Sequence, residues 1–219
     1  STPYSNYNLD FNKILEYPEV SIVNTIQCAG NRRKEYNDNY DKVMGLNWNG
    51  GAIGTAKFTG VYLRDIIKDN MKDMDNFLGK NNNIYVQLIG EDDPFDGSVF
   101  MNIKDLYTSD ILLCYKMNDI ELNRDHGYPL RAIVPGYSGA KNIKWIKEIK
   151  ISTEESSSTW QKGVAYKNFG PTVKSFKDIS EDDKKKTPTV EKLPVQSIIC
   201  EAKKIIKDDI NYINVKGIA

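Results

Sequence analysis

An α+β domain, followed by a charged linker and the opening strands of a second β unit, is what this sequence predicts. Three observations carry the prediction. Strand-like runs with two-residue alternation or β-branched content recur along most of the chain, from SIVNTIQC onward. Helical periodicity interrupts them at TGVYLRDIIKDNMKDM. From Ile179 the character changes, because ISEDDKKKTPTVEKLP is charged, carries two prolines and lacks apolar periodicity. The 219 residues suffice for one substantial domain, or one domain plus part of another.

In chain order, LDFNKILEYPEV predicts a short helix stopped before Pro18, since proline lacks the N–H that a continuing helix needs. SIVNTIQC places Ile22, Asn24, Ile26 and Cys28 on one face and Val23, Thr25 and Gln27 on the other. It therefore predicts a strand whose last inward position is Cys28. In TGVYLRDIIKDNMKDM the spacing of Val61, Leu63, Ile66 and Ile67 predicts an amphipathic helix with Thr59 as N-cap. After the polar NNN loop, IYVQLIG predicts a strand. ILLCYKMN and LRAIV predict two more, the former turning at Asn118-Asp119 toward IELN as a hairpin. KWIKEIKIS ends in another alternating strand. VQSIICEAKKIIKDDINYINVKGIA offers two strand-like runs, too few for independent stability in water, so a second β domain is expected to be only begun. No internal repeat is visible.

Thirty acidic and thirty basic side chains cancel to a formal net charge of zero. Long-range attraction to nucleic acid or to an anionic membrane is thereby excluded, and any anion recognition must be local. No apolar run approaches the roughly 20 residues of a membrane-crossing helix. STPYSNYNLD has neither the basic start nor the apolar core of a signal peptide. Cys28, Cys114 and Cys200 are far apart and show neither CxxC nor zinc-type spacing, so a disulfide framework is not indicated and a reducing compartment is the default. His126 is the single histidine, which excludes His-rich zinc sites.

Four features could carry chemistry. Cys28 reads as a core cysteine at a strand end, as a nucleophile with His126 as base, or as a thiolate metal ligand beside cations that lower its pKa. Arg32 and Arg33 follow the turn-forming pair Gly30-Asn31 and should diverge, one building the loop and the other reaching the space beside Cys28. In NRDHGYPLRAIVPG, the connector Gly127–Pro129 could aim His126 and Arg131 at one anionic group. YSGAKNIKW adds Gly139, Lys141 and Lys144, with backbone N–H groups suited to a phosphate nest. Each has a bland alternative as loop, core or solvated surface.

Together they are specific. The ordered set CAGNRRKE (28–35), GLNW (45–48), GAIGTAKFTGVYLRDII (51–67), YKMNDIELNRDHGYPLRAIVPG (115–136), GAKNIKWIKEI (139–149) and LPVQS (193–197) resembles the sulfite oxidase family of molybdenum enzymes over nearly the whole chain. The resemblance implies a mixed-sheet α+β molybdopterin-binding domain over residues 1–178, lacking its N-terminal part. A linker over 179–193 and the start of a truncated immunoglobulin-like β-sandwich, the family's dimerisation domain, over 194–219 would follow. It implies a molybdenum–molybdopterin cofactor whose metal is bound by the sulfur of Cys28, with no haem in this chain. Arg33, Trp48 and Tyr166 match the substrate pocket, although one extra residue lies between Trp160 and Tyr166. His126, Arg131, Asn142, Ile143 and Lys144 match cofactor-binding positions, and of Glu91 and Asp92 in GEDDP, Asp92 is favoured as the acidic contact. Met44 stands where the family commonly has a lysine before the glycine of GLxW.

The implied reaction is oxidation of sulfite to sulfate by oxygen-atom transfer, with electrons passing singly to a cytochrome or oxygen. A homodimer of the full-length protein and a mitochondrial intermembrane or peroxisomal compartment are further family expectations; nucleic acid and membrane spans are not expected. The nearest rival is the molybdenum domain of assimilatory nitrate reductase, which shares CAGNRRKE. WQKGVAYKNF and LPVQS favour sulfite oxidase. A Cys28–His126 hydrolase and an inactive scaffold fragment are the alternatives from other classes.

Overall fold

The computed structural model describes residues 10–70, 83–92, 97–163, 166–170, 172–173 and 175–218. The first helix, α1 (Phe11–Leu15), is capped by the Asp10 carboxylate, which accepts from the Lys13 amide at 3.0 Å, and it ends before Pro18 as expected. β1 (Val20–Gln27) alternates as its sequence does, and Cys28 follows on the face of Ile22, Asn24 and Ile26. α2 (Arg33–Asn39) starts immediately after the turn at Gly30, with Arg32 in the left-handed region at φ 65°.

β2 (Ile53–Tyr62), a strand the sequence pattern does not predict, takes up the start of the expected helix, and α3 (Leu63–Asn70) begins only after it. Thr59 is therefore not an N-cap but a buried strand residue, its hydroxyl 2.7 Å from that of Ser21. The reason is tertiary. The GVY segment pairs with a later strand through a register shift between Thr59 and Gly60, and that ladder outweighs helix propensity. Residues 71–74 of the expected helix lie outside the described residues.

The remaining elements are β3 (Asn83–Gly90), β4 (Gly97–Asn102), α4 (Ile103–Thr108), β5 (Leu112–Met117), β6 (Ile120–Glu121), β7 (Arg131–Ile133), β8 (Ile146–Ser152), α5 (Thr159–Lys162), α6 (Glu181–Lys186), β9 (Ile198–Lys207) and β10 (Ile210–Ile218). The expected hairpin between β5 and β6 forms, with Asn118 and Asp119 both at positive φ, the twist a two-residue turn requires. Three sheets result: β1-β2-β5-β6 with β7 also on β5, β4-β3-β8, and β10-β9. Where the resemblance implies a mixed sheet, every pairing among the described strands is antiparallel.

β5 is buried on both faces, which explains its unbroken LLCY run. Leu113 and Tyr115 join the main core with Val61, Leu63, Ile84, Val86 and Leu88; Leu112 and Cys114 join a second cluster with Phe58 and Ile133. Ile22 and Ile26 of β1 pack against that second cluster. The face leading to Cys28 is thus set by the same alternation that builds the core.

The charged segment after Ile179 is more ordered than its composition suggests. Ser180 caps α6, its hydroxyl accepting from the Asp183 amide at 3.1 Å. Acidic residues fill the first turn and Lys184–Lys186 the last, as the helix dipole favours. Beyond α6 the chain runs back along the domain as a strap. Val190 N–H donates to Tyr166 O (2.7 Å), Ser138 N–H to Glu191 O (2.9 Å) and Leu193 N–H to Gly136 O (3.2 Å).

Candidate functional site

Cys28 extends the β1–β2 ladder by one residue, its amide donating to Ala52 O at 2.9 Å. The Asn31 side chain closes the ladder by accepting from the Ala52 amide at 3.0 Å. The sulfur is half-buried and takes a hydrogen bond from the Gly30 amide at 3.4 Å. Backbone geometry therefore fixes where this thiol points.

The two arginines diverge as the turn demands. Arg32 folds onto Glu35 in a bidentate pair, two contacts of 2.6 Å, and reaches Ser197 O at 3.4 Å. Arg33 goes the other way, donating to Leu46 O at 2.6 Å. A Cβ on Gly30 or on Gly45 would lie 2.5 Å from its guanidinium, so these glycines are the walls of its slot. Gly45 adopts φ +120°, a conformation that glycine tolerates. The loop opposite is zipped to the start of α2, with Arg32 N–H on Asn49 O and Lys34 N–H on Trp48 O, each 3.0 Å.

An open cleft of about 580 Å³ is lined by Cys28, Trp48, Trp160, Tyr166, Gly139 and Ala140, among others. Three of the sequence-predicted site residues thus share one space. Burial pushes the Tyr166 phenol up, and Cys28 adds to that while Arg33 opposes it, so both act on the phenol electrostatically. Trp160, not predicted as a site residue, stacks against Tyr166 at 5.0 Å between centroids. Its position six residues before the expected pocket tyrosine was the available signal. A larger hollow of about 700 Å³ lies between Arg32 and the β9–β10 hairpin, away from this chemistry.

The remaining candidates gather around Arg131, on the same sheet face as Cys28. Arg131 pairs with Cys114 in register, and its guanidinium carbon lies 5.8 Å from the Phe58 ring centroid. It donates to His126 O (3.0 Å) and Asn142 O (3.4 Å), while its Nε is buried without a partner. Burial lowers its pKa, and Cys114 works in the opposite direction. A Cβ on Gly127 would lie 3.0 Å from the side chains of both Arg131 and Lys144. One on Gly90 would lie 2.8 Å from Asp92 Oδ1, 2.9 Å from Lys144 O and 3.2 Å from Ile143. Asp92 thus turns toward this cluster, whereas Glu91 turns outward to Lys147 at 3.9 Å. Residues 139–144 connect the two regions, beginning at the cleft and ending beside Arg131.

Several candidate groups are already committed. The Asn142 side chain accepts from Val134 N–H and donates to Ser138 O. Lys144 donates to Asp125 O at 2.9 Å. The phosphate nest expected at Lys141 is not formed in that way. The Lys141 and Asn142 amides close a 3₁₀ turn, and the Lys141 ammonium is buried against Gln161 (2.7 Å) and Glu191 (3.3 Å). Among the described residues no hydrogen bond joins Cys28 to His126: the Cys28 sulfur accepts from the Gly30 amide and the His126 carbonyl accepts from Arg131.

Cys28 is the soft donor of the cleft, and among the described residues no group of three or more His, Cys, Asp or Glu could hold a bare metal ion. A metal bound there would need to bring its other donors with it, as a metal chelated by an organic cofactor does. The buried, unsatisfied Nε of Arg131 on the same face fits an anionic group of such a cofactor.

The family model described as the oxidoreductase molybdopterin binding domain matches residues 4–160. The mitochondrial sulfite oxidase of Drosophila melanogaster is 35% identical over 220 residues, covering 96% of this chain and 36% of that protein. The NADPH nitrate reductase of Emericella nidulans is 39% identical over 157 residues, covering 69% of this chain and 17% of that one. Among solved structures, the sulfane dehydrogenase SoxCD from Paracoccus pantotrophus superposes with a TM-score of 0.63 at 20% identity, covering 87% of this chain and 43% of that chain. The chain spans less than half the length of each.

Proposed function

Because this chain belongs to the oxidoreductase molybdopterin binding domain family, we infer that it forms the molybdenum-cofactor site of a protein oxidising sulfite to sulfate. The observation that carries this reading is the convergence of Cys28, Trp48 and Tyr166 on one cleft, with the charge of Arg33 acting on the Tyr166 phenol. Cys28 would bind the metal through sulfur, while Asp92, His126, Arg131, Asn142, Ile143 and Lys144 would hold the pterin and its phosphate. Bound there, the molybdenum cofactor would supply oxygen-atom transfer and a two-electron redox change.

The protein's own contribution is to hold the anion. Sulfite is a mono- or dianion near neutral pH. The Arg33 guanidinium has five N–H donors, of which Leu46 O takes one, and its slot between Gly30 and Gly45 keeps it from swinging away. Tyr166, its phenol held above the usual range, stays protonated at neutral pH and donates to a sulfite oxygen. Trp48 lines the same cleft and would offer its indole N–H to the anion. Such preorganised donors favour the anion without reorganising on binding.

The exposed apolar residues of β9 and β10, Ile199, Ile206, Ile213 and Val215 among them, support reading the hairpin as the start of an immunoglobulin-like β unit that also makes the dimer. No helix among the described residues is long and apolar enough to cross a membrane. Assay of the intact, cofactor-loaded protein should show sulfite oxidation with a one-electron acceptor such as cytochrome c. Turnover of nitrate with a reduced donor, and none of sulfite, would move the assignment to the nitrate reductases.

A further inference from the structure

A buried polar cluster is built on residues that adjoin the walls of the Cys28 cleft in sequence. The Lys141 and Lys167 side chains are only 3% and 2% exposed, yet both carry ammonium groups. Lys141 Nζ donates to Gln161 Oε1 (2.7 Å) and lies 3.3 Å from Glu191; Lys167 lies 3.9 Å from Glu155. Gln161 Nε2 donates to Glu155 (3.0 Å) and to Thr189 Oγ1 (3.2 Å). Among the described residues two lysines face two carboxylates, and the Gln161 amide has one orientation that serves both sides. Its oxygen must face the lysine and its nitrogen the glutamate.

Three of its members are chain neighbours of a cleft wall. Lys141 follows Gly139 and Ala140, Gln161 follows Trp160, and Lys167 follows Tyr166. The strap closes the set from behind through Val190 N–H on Tyr166 O, Ser138 N–H on Glu191 O and the Lys167–Thr189 bridge. With the cleft taken as the site proposed above, we propose that Lys141 and Gln161 are positioning residues. Their buried bond fixes the Gly139–Ala140 wall against the Trp160–Tyr166 wall and so sets the aim of Tyr166. Buried ion pairs seldom add net stability, so specificity of arrangement is the function that accounts for one here.

The test separates positioning from stability. In the full chain with Trp48 and Trp145 replaced by phenylalanine, iodide quenching reports the exposure of Trp160. Lys141→Met should lower Tm and raise the quenching constant at least twofold, and Lys141→Arg should restore both. The charge-balanced pair Lys141→Met with Glu191→Gln should recover Tm while quenching stays high. Gln161→Leu, which removes no charge, should also raise quenching, so the idea remains testable if Lys141→Met does not fold. In the intact protein each quenching-altered variant should raise the sulfite KM with kcat less affected. Unchanged quenching in Lys141→Met and Gln161→Leu, or quenching that returns together with Tm in the paired variant, would overturn the proposal. Altered quenching in a protein that does not oxidise sulfite would remove the functional reading and leave this one standing.

Discussion

Replacing Gly30 by alanine displaces Arg33 without removing its charge. The new Cβ would lie 2.5 Å from one guanidinium nitrogen and 2.6 Å from the guanidinium carbon. That is about 1 Å short of an ordinary van der Waals contact. The clash is with the far end of a flexible side chain, so the guanidinium moves and the backbone does not. At an effective dielectric constant of about 20, drawing a unit charge back from about 4 Å to about 5 Å costs about 0.8 kcal/mol against a monoanion and about 1.7 kcal/mol against a dianion. These correspond to increases in the sulfite KM of about 4-fold and about 17-fold. Steady-state kinetics on the intact protein would measure this, with molybdenum content and Tm as controls. Arg33→Gln, which removes the charge outright, should raise KM further with metal content preserved. A KM within twofold of the parent for Gly30→Ala, with Arg33→Gln equally silent, would refute the role given to Arg33. The arginine would then serve only to brace the loop through Leu46 O.

Two further outcomes follow from the packing. Gly60 faces the Leu113 carbonyl at the β2–β5 register shift, where a Cβ would meet backbone that cannot step aside. Gly60→Ala should therefore cost about 2–3 kcal/mol, the upper part of the usual overpacking range, in urea denaturation. Burial pushes the Cys114 thiol up from 9.0 to about 11, outweighing the opposing pull of Arg131. The folded state then holds this proton more tightly than the unfolded chain. Stability is accordingly level below about pH 9 and falls between about pH 9 and 11, by roughly 2–3 kcal/mol. Cys114→Ala should remove that part of the alkaline slope, while the contribution of Tyr115, whose phenol is raised by burial to about 12, should persist at higher pH.

What the sequence disclosed depended on whether the relevant physics was local. The alternation of SIVNTIQC placed Cys28 on an inward face, and Asn118-Asp119 specified a hairpin through backbone preference alone. Arg32 and Arg33 had to diverge after a tight turn, and they do, one to Glu35 and one to Leu46 O. Thr59 misled because its fate was decided by pairing with β5, some fifty residues away in the chain. Lys141 looked available to a phosphate because nothing near it in sequence hints at Gln161 or Glu191, which meet it only after folding. The Ser180–Asp183 cap was readable, but the run of charge around it resembled a solvated linker. Trp160 joined the cleft through stacking on Tyr166, a contact that residue type alone does not announce.

The central claim is that Cys28 is a metal anchor, and its most direct test is the molybdenum content of the purified intact protein. Elemental analysis should find about stoichiometric metal in the parent and close to none in a folded Cys28→Ser variant, since a hydroxyl is a poor substitute for a soft thiolate donor. Full metal retention in Cys28→Ser, or a parent protein unable to take up molybdenum cofactor at all, would contradict the account.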